Sequence, residues 1–233
     1  MKRPGQELKM PEVLWREEGR TLSLEGEPVL EYTISWPEVT GGGLGGRWIS
    51  RYYARLARSW GLRWQREVYW KACLELAGRR ADSRPFTLWT GRLAGQVTWH
   101  KDGLLSVRME GEEIRGDGKP CRVRWSDVWK VREGAPRPLR EFFPQTRGWK
   151  KSLMEQVIQQ GNRRREGGDC FLDPGWEGRL RGVFPFRDYG LTGEGLEFAL
   201  PQGAVAPAAE GTPVFYIPVP GYGGGERRPE EGQ

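Results

Sequence analysis

The chain has 233 residues, 37% hydrophobic and 29% charged, enough to build a sizeable core in one large domain or two intimate subdomains and too apolar for a disordered segment. Its 37 Lys and Arg against 31 Asp and Glu leave a net charge of +6 and a pI near 9.4, which favours anionic partners only mildly and is within what solubility asks for. Twelve tryptophans, each able to bury roughly 150–250 Å², require a core to enter.

Residues Met1 to Glu12 carry charges and two prolines but no apolar stretch of signal-peptide length, and no run anywhere approaches the ~18 apolar residues of a membrane span. The expectation is a loose leader on a cytoplasmic chain. Strand patterns follow in two pieces around Gly19, Leu14 to Glu17 and Thr21 to Leu24, and then from Val29 to Trp36 after a Gly26-Glu27-Pro28 turn, with Pro37 as a stop. The glycines between Gly41 and Gly46 precede a helix, yet they lack both the Lys-Ser/Thr end of a phosphate loop and the Gly-x-Gly-x-x-Gly spacing of a dinucleotide loop. They read as a flexible connector, with a weak anion site at the helix N-terminus as the lesser reading.

Gly46 to Arg80 is the longest helical pattern. Ile49, Tyr52, Tyr53, Leu56 and Trp60 share one face, and Leu62, Tyr69, Ala72 and Leu76 form a second stripe rotated from the first, which predicts a bend near Gly61. After the breaker stretch Ala81 to Pro85, Phe86 to His100 and Leu104 to Met109 read as a hairpin across Asp102-Gly103. Ile114 and Arg122 to Trp129 add strands across the Gly116 to Pro120 turn. Leu139, Phe142 and Phe143 make a small apolar knot, and Trp149, Leu153, Val157 and Ile158 a second amphipathic helix ending near Gly161. Arg163, Arg164 and Arg165 then fall in a glycine-flanked loop. Strands at Leu196 to Leu200 and Val214 to Val219 close the ordered part, and the glycines and charges beyond Pro220 read as a disordered tail.

Chemistry is conspicuous by what the composition withholds. His100 is the only histidine, so a histidine triad or a two-histidine metal site cannot be assembled, and no Gly-x-Ser-x-Gly elbow occurs. Glu110, Glu112 and Glu113 sit at a hairpin edge, where solvated charge is the ordinary reading; a carboxylate hydrolase is a distant third possibility. Cys73, Cys121 and Cys170 lie far apart without a Cys-x-x-Cys pair, which reads as three buried, reduced thiols. No catalytic residue, cofactor or metal is expected. Arg163, Arg164 and Arg165 are the one candidate anion-binding set.

The segment Phe184-Pro-Phe-Arg-Asp-Tyr-Gly-Leu-Thr-Gly-Glu-Gly-Leu-Glu-Phe198, followed by Val205-Ala-Pro207-Ala-Ala-Glu-Gly211 and Val214-Phe-Tyr-Ile-Pro218, resembles the C-terminal domain of the bacterial lysozyme-sensing anti-sigma-V factor family. Upstream, Tyr32 to Pro37, the long helix, Leu104 to Val107 and Leu139 to Phe143 resemble the same family, including an N-terminal domain it shares with certain peptidoglycan deacetylases. The likeness runs from about Pro28 to Pro220. The chain departs from the pattern at Arg115 to Pro120, at Gly203 and at Ala208. The resemblance implies an extracytoplasmic sensory module; the catalytic domain of the deacetylase relatives, with its metal-binding Asp and His residues, has no counterpart in these motifs.

The expected fold is therefore α+β, with two subdomains that each lay a helix on one face of an antiparallel sheet. The divisions are residues 1–27 as leader and first strands, 28–116 as the N-terminal subdomain, 119–220 as the C-terminal subdomain and 221–233 as tail. The expected function is a non-catalytic binding or sensory module recognising a protein or a cell-wall glycan. The alternative is nucleic-acid or phosphate binding through the Arg-rich segment.

Overall fold

A computed structural model describes residues 10–143 and 147–222. The expected leader thus falls largely, and the expected tail almost wholly, outside the described residues, although Tyr222 is packed against Trp99 and Phe142. The fold is α+β, a six-stranded sheet and a three-stranded sheet with helices packed on them.

Strand β1 (Glu12–Leu24) runs unbroken through Gly19 and turns at Glu25-Gly26, both at positive φ, into β2 (Glu27–Thr40). The chain then crosses the sheet as helix α1 (Gly43–Arg63), a π-helical turn (Trp64–Val68) and helix α2 (Tyr69–Ala81). It returns as β3 (Trp89–Lys101), parallel to β2, with Leu30 opposite Trp89 and Ile34 opposite Leu93. This corrects the expectation of a wholly antiparallel first sheet: a long helical crossover carries the chain back to the end where β2 began, so β3 must run the same way. The remaining strands are joined by hairpins. Asp102 and Gly103 both have positive φ, 56° and 73°, the backbone a tight two-residue hairpin needs, and lead into β4 (Leu104–Ile114), β5 (Pro120–Lys130) and the short β6 (Ala135–Pro136). β5, read from sequence with the C-terminal subdomain, pairs along its length with β4.

The helix carries one buried stripe rather than two. Ile49, Tyr53, Ala57 and Gly61 are buried, and Trp64, Val68, Ala72 and Leu76 continue them, while Leu62 is exposed and Trp60 half-buried. Four-residue steps advance an α-helical stripe by about 40° each. The wider turn over Trp64–Val68 winds it back, so the predicted bend is a π-turn three residues past Gly61. Glycines in the sheet make room for the indoles: a Cβ on Gly111 would stand 2.7 Å from the Trp60 ring. The glycine cluster before the helix is likewise no loose connector. Gly45 and Gly46 are buried in the first turn of α1, and a Cβ on Gly45 would collide with the Val131 carbonyl.

The other face of the same sheet carries the C-terminal unit. Helices α3 (Trp149–Glu166) and α4 (Trp176–Val183) precede the small sheet β7 (Gly190–Thr192), β8 (Gly195–Ala199) and β9 (Val214–Ile217). Leu104 and Val128 of the large sheet join its core with Leu153, Trp176, Leu191 and Phe198. Buried Ser106 accepts from the Leu191 amide at 2.9 Å and from Thr98 Oγ1 at 2.8 Å, tying β7 to the large sheet. No helix among the described residues is long and apolar enough to cross a membrane.

Candidate functional site

Strand β5 is the element around which the grooves and charges gather. Its odd residues Val123, Trp125, Asp127 and Trp129 face the α1 side, and its even residues Arg122, Arg124, Ser126 and Val128 face the C-terminal unit, as the two-residue period of a strand requires. An antiparallel strand also turns both backbone groups of alternate residues the same way. Here the even residues turn theirs to the outer edge. The Gln202 side-chain amide meets two of them, accepting from the Arg122 amide at 2.6 Å and donating to the Pro120 carbonyl at 3.0 Å. At the other end the Arg137 amide donates to the Val128 carbonyl at 2.6 Å, beside β6. Between these two closures, Arg124 and Ser126 have no backbone partner on that edge among the described residues.

Ser126 is nevertheless covered, at 4% exposed, and a groove of about 460 Å³ lies beside Cys121 to Trp125, bounded by Val123 and Trp125 on one side and by Pro185, Asp188 and Pro201 on the other. A second groove of about 420 Å³ lies over the even face, between Arg92, Glu110, Arg122, Arg124 and the arm at Glu210. Its charges are largely matched with one another. Glu197, 1% exposed, accepts from Arg124 at 2.8 Å and Arg108 at 3.1 Å, and Arg122 donates to Glu112 at 2.6 Å. A fully buried carboxylate holding two guanidinium groups clamps β8 onto β4 and β5, because leaving any of them unpaired would strand a charge out of water.

On the odd face, Asp127 accepts from the Tyr53 hydroxyl at 3.0 Å, and Tyr53 in turn accepts from Trp129 Nε1 at 2.9 Å. Burial raises the Asp127 carboxyl to about 6; the Tyr53 hydrogen bond opposes this, and the charge of Asp188 adds to it. Tyr52, half-exposed beside them, is pushed up to about 12 by burial and then by Asp127 and Asp188. A carboxyl near 6 is in the range suited to proton transfer at neutral pH, but here one of its oxygens is engaged by a buried tyrosine. No group of three or more His, Cys, Asp or Glu is gathered as metal ligands among the described residues.

The residues singled out from sequence lie elsewhere. Arg163, Arg164 and Arg165 are in the last turns of α3 and not in a loop, because Gly161 does not end the helix; it is buried there, and a Cβ on it would stand 2.5 Å from the Trp176 ring. Arg164 donates to the Val214 carbonyl at 2.7 Å and lies over the Phe215 ring, while Arg163 and Arg165 are exposed. Successive helical residues diverge by about 100°, so the three do not form one cradle. His100 is half-buried in β3, its pKa lowered by burial. Glu113 is not a solvated edge charge: it is 5% exposed and accepts from Trp64 Nε1 at 2.9 Å and from Arg63. Cys73 and Cys170 are buried as expected, but Cys121 is exposed. Asp188 and Gln202 were not legible as site residues, since only the tertiary fold sets them against β5; the prolines at 185 and 201, which frame the groove, were the available signal.

No family profile and no curated protein matches this sequence. Its fold is similar to that of a DUF3298 family member from Bacteroides fragilis, at 14% identity over 89% of this chain and 90% of that one, with a TM-score of 0.66. It is also similar to a DUF3298 family protein from Pseudomonas aeruginosa, at 15% identity over 92% of this chain and 93% of that one, with a TM-score of 0.52. At such identities the likeness is one of fold.

Proposed function

We propose that this chain is a non-catalytic binding or sensory module whose ligand is a protein or a cell-wall glycan, with a protein favoured. The observation that carries the preference is the groove beside β5, where Val123, 42% exposed, and half-buried Trp125 face Pro185 and Pro201: an apolar slot of this kind suits the side chains of another protein. The absence of chemistry in the proposal rests on how the polar groups near the grooves are spent. Glu197 is spent on Arg108 and Arg124, Glu112 on Arg122, and Asp127 on Tyr53. DUF3298 is the domain found in the anti-sigma-V-like proteins, so the fold likeness supports the sensory reading at the level of architecture. The nucleic-acid alternative has less support, since Arg164 is used inside the fold and its two neighbours point apart.

Affinity capture from lysate at low and high salt, with and without nuclease, and co-sedimentation with isolated cell wall separate these readings. A protein held at high salt after nuclease treatment is the expected result. Recovery of only nuclease-sensitive, salt-labile material, lost on replacing Arg163 and Arg165 by alanine, overturns it.

A further inference from the structure

We propose that the solvent side of the long helix, from Leu44 to Leu74, lays the protein on an anionic phospholipid surface, its arginines on the headgroup phosphates and its exposed Trp and Leu side chains in the interface below them. This goes beyond the binding-module reading, and none of these residues lines the groove beside β5.

The period of the helix assembles the surface. Two helical residues are about 200° apart, so the residue two before each member of the buried stripe from Ile49 to Leu76 stands on the far side. Over the first half these are Arg47, Arg51 and Arg55, and past Ser59 they are Leu62, Arg66, Trp70 and Leu74, all of them exposed. The ridge is about 40 Å long at 1.5 Å per residue. Arg58 and Lys71 flank it, and Glu67 is the one acidic residue between Gly43 and Leu74. The arginines of the sheets are spent on carboxylates, as with Arg16, Arg63, Arg108 and Arg124. Arg47, Arg55, Arg58, Arg66 and Lys71 have no such partner among the described residues, and Arg51 lies only over the Trp48 ring, 5.6 Å from its centroid. Six cations against one carboxylate make up nearly the whole of the chain's net charge of +6.

The apolar side chains decide which anion fits. Leu44 and Trp48, 68% and 52% exposed, sit one turn apart at the start of the helix, and Trp70 and Leu74, 61% and 72% exposed, one turn apart about 33 Å further on. A nucleic acid or another polyanion neutralises the arginines and leaves the leucines in water. An anionic bilayer offers phosphates to the cations and an acyl boundary to the Trp and Leu side chains at the same depth. An acidic protein would need pockets to seat its anchoring side chains, and the crest of a helix is convex; a fluid headgroup layer moulds to it. A second copy of this chain would bring the same six cations face to face. The chain's own ends lack the charge to cover the ridge, since residues 223–233 hold three Glu with two Arg, and residues 1–9 hold three cations with one Glu.

The test sediments the whole chain with vesicles of phosphatidylcholine alone, or with about one third phosphatidylglycerol. Binding to the anionic vesicles is expected to be about tenfold or more tighter than to the neutral ones, and to weaken as salt rises. Arg51→Ala with Arg55→Ala, and separately Trp70→Gln with Leu74→Gln, should each lower it by about tenfold or more. All four side chains are exposed, so neither double variant should lower Tm appreciably. A single-stranded DNA oligonucleotide is the control polyanion. Vesicle binding that Trp70→Gln with Leu74→Gln leaves unchanged, or an oligonucleotide held as tightly as the vesicles, overturns the proposal in favour of a general polyanion surface. So does self-association that either double variant abolishes. Absence of binding to both kinds of vesicle, with or without capture of an acidic protein that Arg51→Ala with Arg55→Ala releases, overturns it as well and leaves the groove beside β5 to its own capture experiment.

Discussion

The indole of Trp64 lies against the bare α-carbon of Gly91, so closely that a Cβ at Gly91 would stand 2.8 Å from Trp64 Cε2. Trp64 is fully buried and its Nε1 donates to Glu113, whereas Trp60, one turn earlier, is half-buried and stacked on Trp125 with ring centroids 6.1 Å apart. Trp64→Ala is expected to cost about 3–5 kcal/mol and Trp60→Ala clearly less. Gly91→Ala is expected to cost about 1–3 kcal/mol by overpacking. Urea unfolding of the three variants checks the order, and a Trp60→Ala loss equal to that of Trp64→Ala contradicts it.

Asp127 gives a pH dependence of definite sign. Its folded-state pKa, about 6, is above the ordinary carboxylate value of 3.8, so the folded state holds this proton more tightly than the unfolded chain does. Stability from this group is fully present below about pH 4 and is lost as pH rises toward 6. Asp127→Asn should remove that loss, so the variant's stability relative to the parent rises by on the order of 2 to 3 kcal/mol between pH 4 and pH 7. Parallel denaturant titrations at those two pH values measure the difference, and an unchanged gap between the two proteins refutes the assignment.

Glu197 is 1% exposed and holds Arg108 and Arg124. Removing one member of a buried ion cluster leaves the others desolvated, so Glu197→Ala is expected to cost about 3–5 kcal/mol. The triple replacement of Glu197, Arg108 and Arg124 by apolar residues of similar size should recover part of that. If the single variant is neutral in thermal unfolding, the clamp between the sheets is not there.

The three thiols differ in access. Cys121 is exposed, Cys73 and Cys170 are buried, and burial raises the Cys170 pKa. A thiol reagent at pH 8 should label one cysteine quickly in the native protein and all three in denaturant without reductant. Finding fewer than three in denaturant would mean that a disulfide exists in solution.

The local elements were legible because their signals are local. Alternation around Asp102-Gly103 announced the β3–β4 hairpin, and the turn residues adopt the positive φ that such a hairpin demands. The periodicity from Ile49 to Leu76 announced the long helix, and the overall α+β class followed from these. What the linear pattern missed depends on neighbours distant in sequence. Gly45, Gly161 and Gly91 look like loop, stop and strand weakness in the chain, and each is a site where another backbone or an indole comes too close for a Cβ. Whether β3 joins β2 parallel is decided by how far the helical crossover carries the chain, which no window of residues encodes. The candidate site was hidden for the same reason: Arg122 to Trp125 reads as any strand, and the groove beside it exists only because Pro185, Asp188 and Gln202 arrive from distant positions in the chain to frame it.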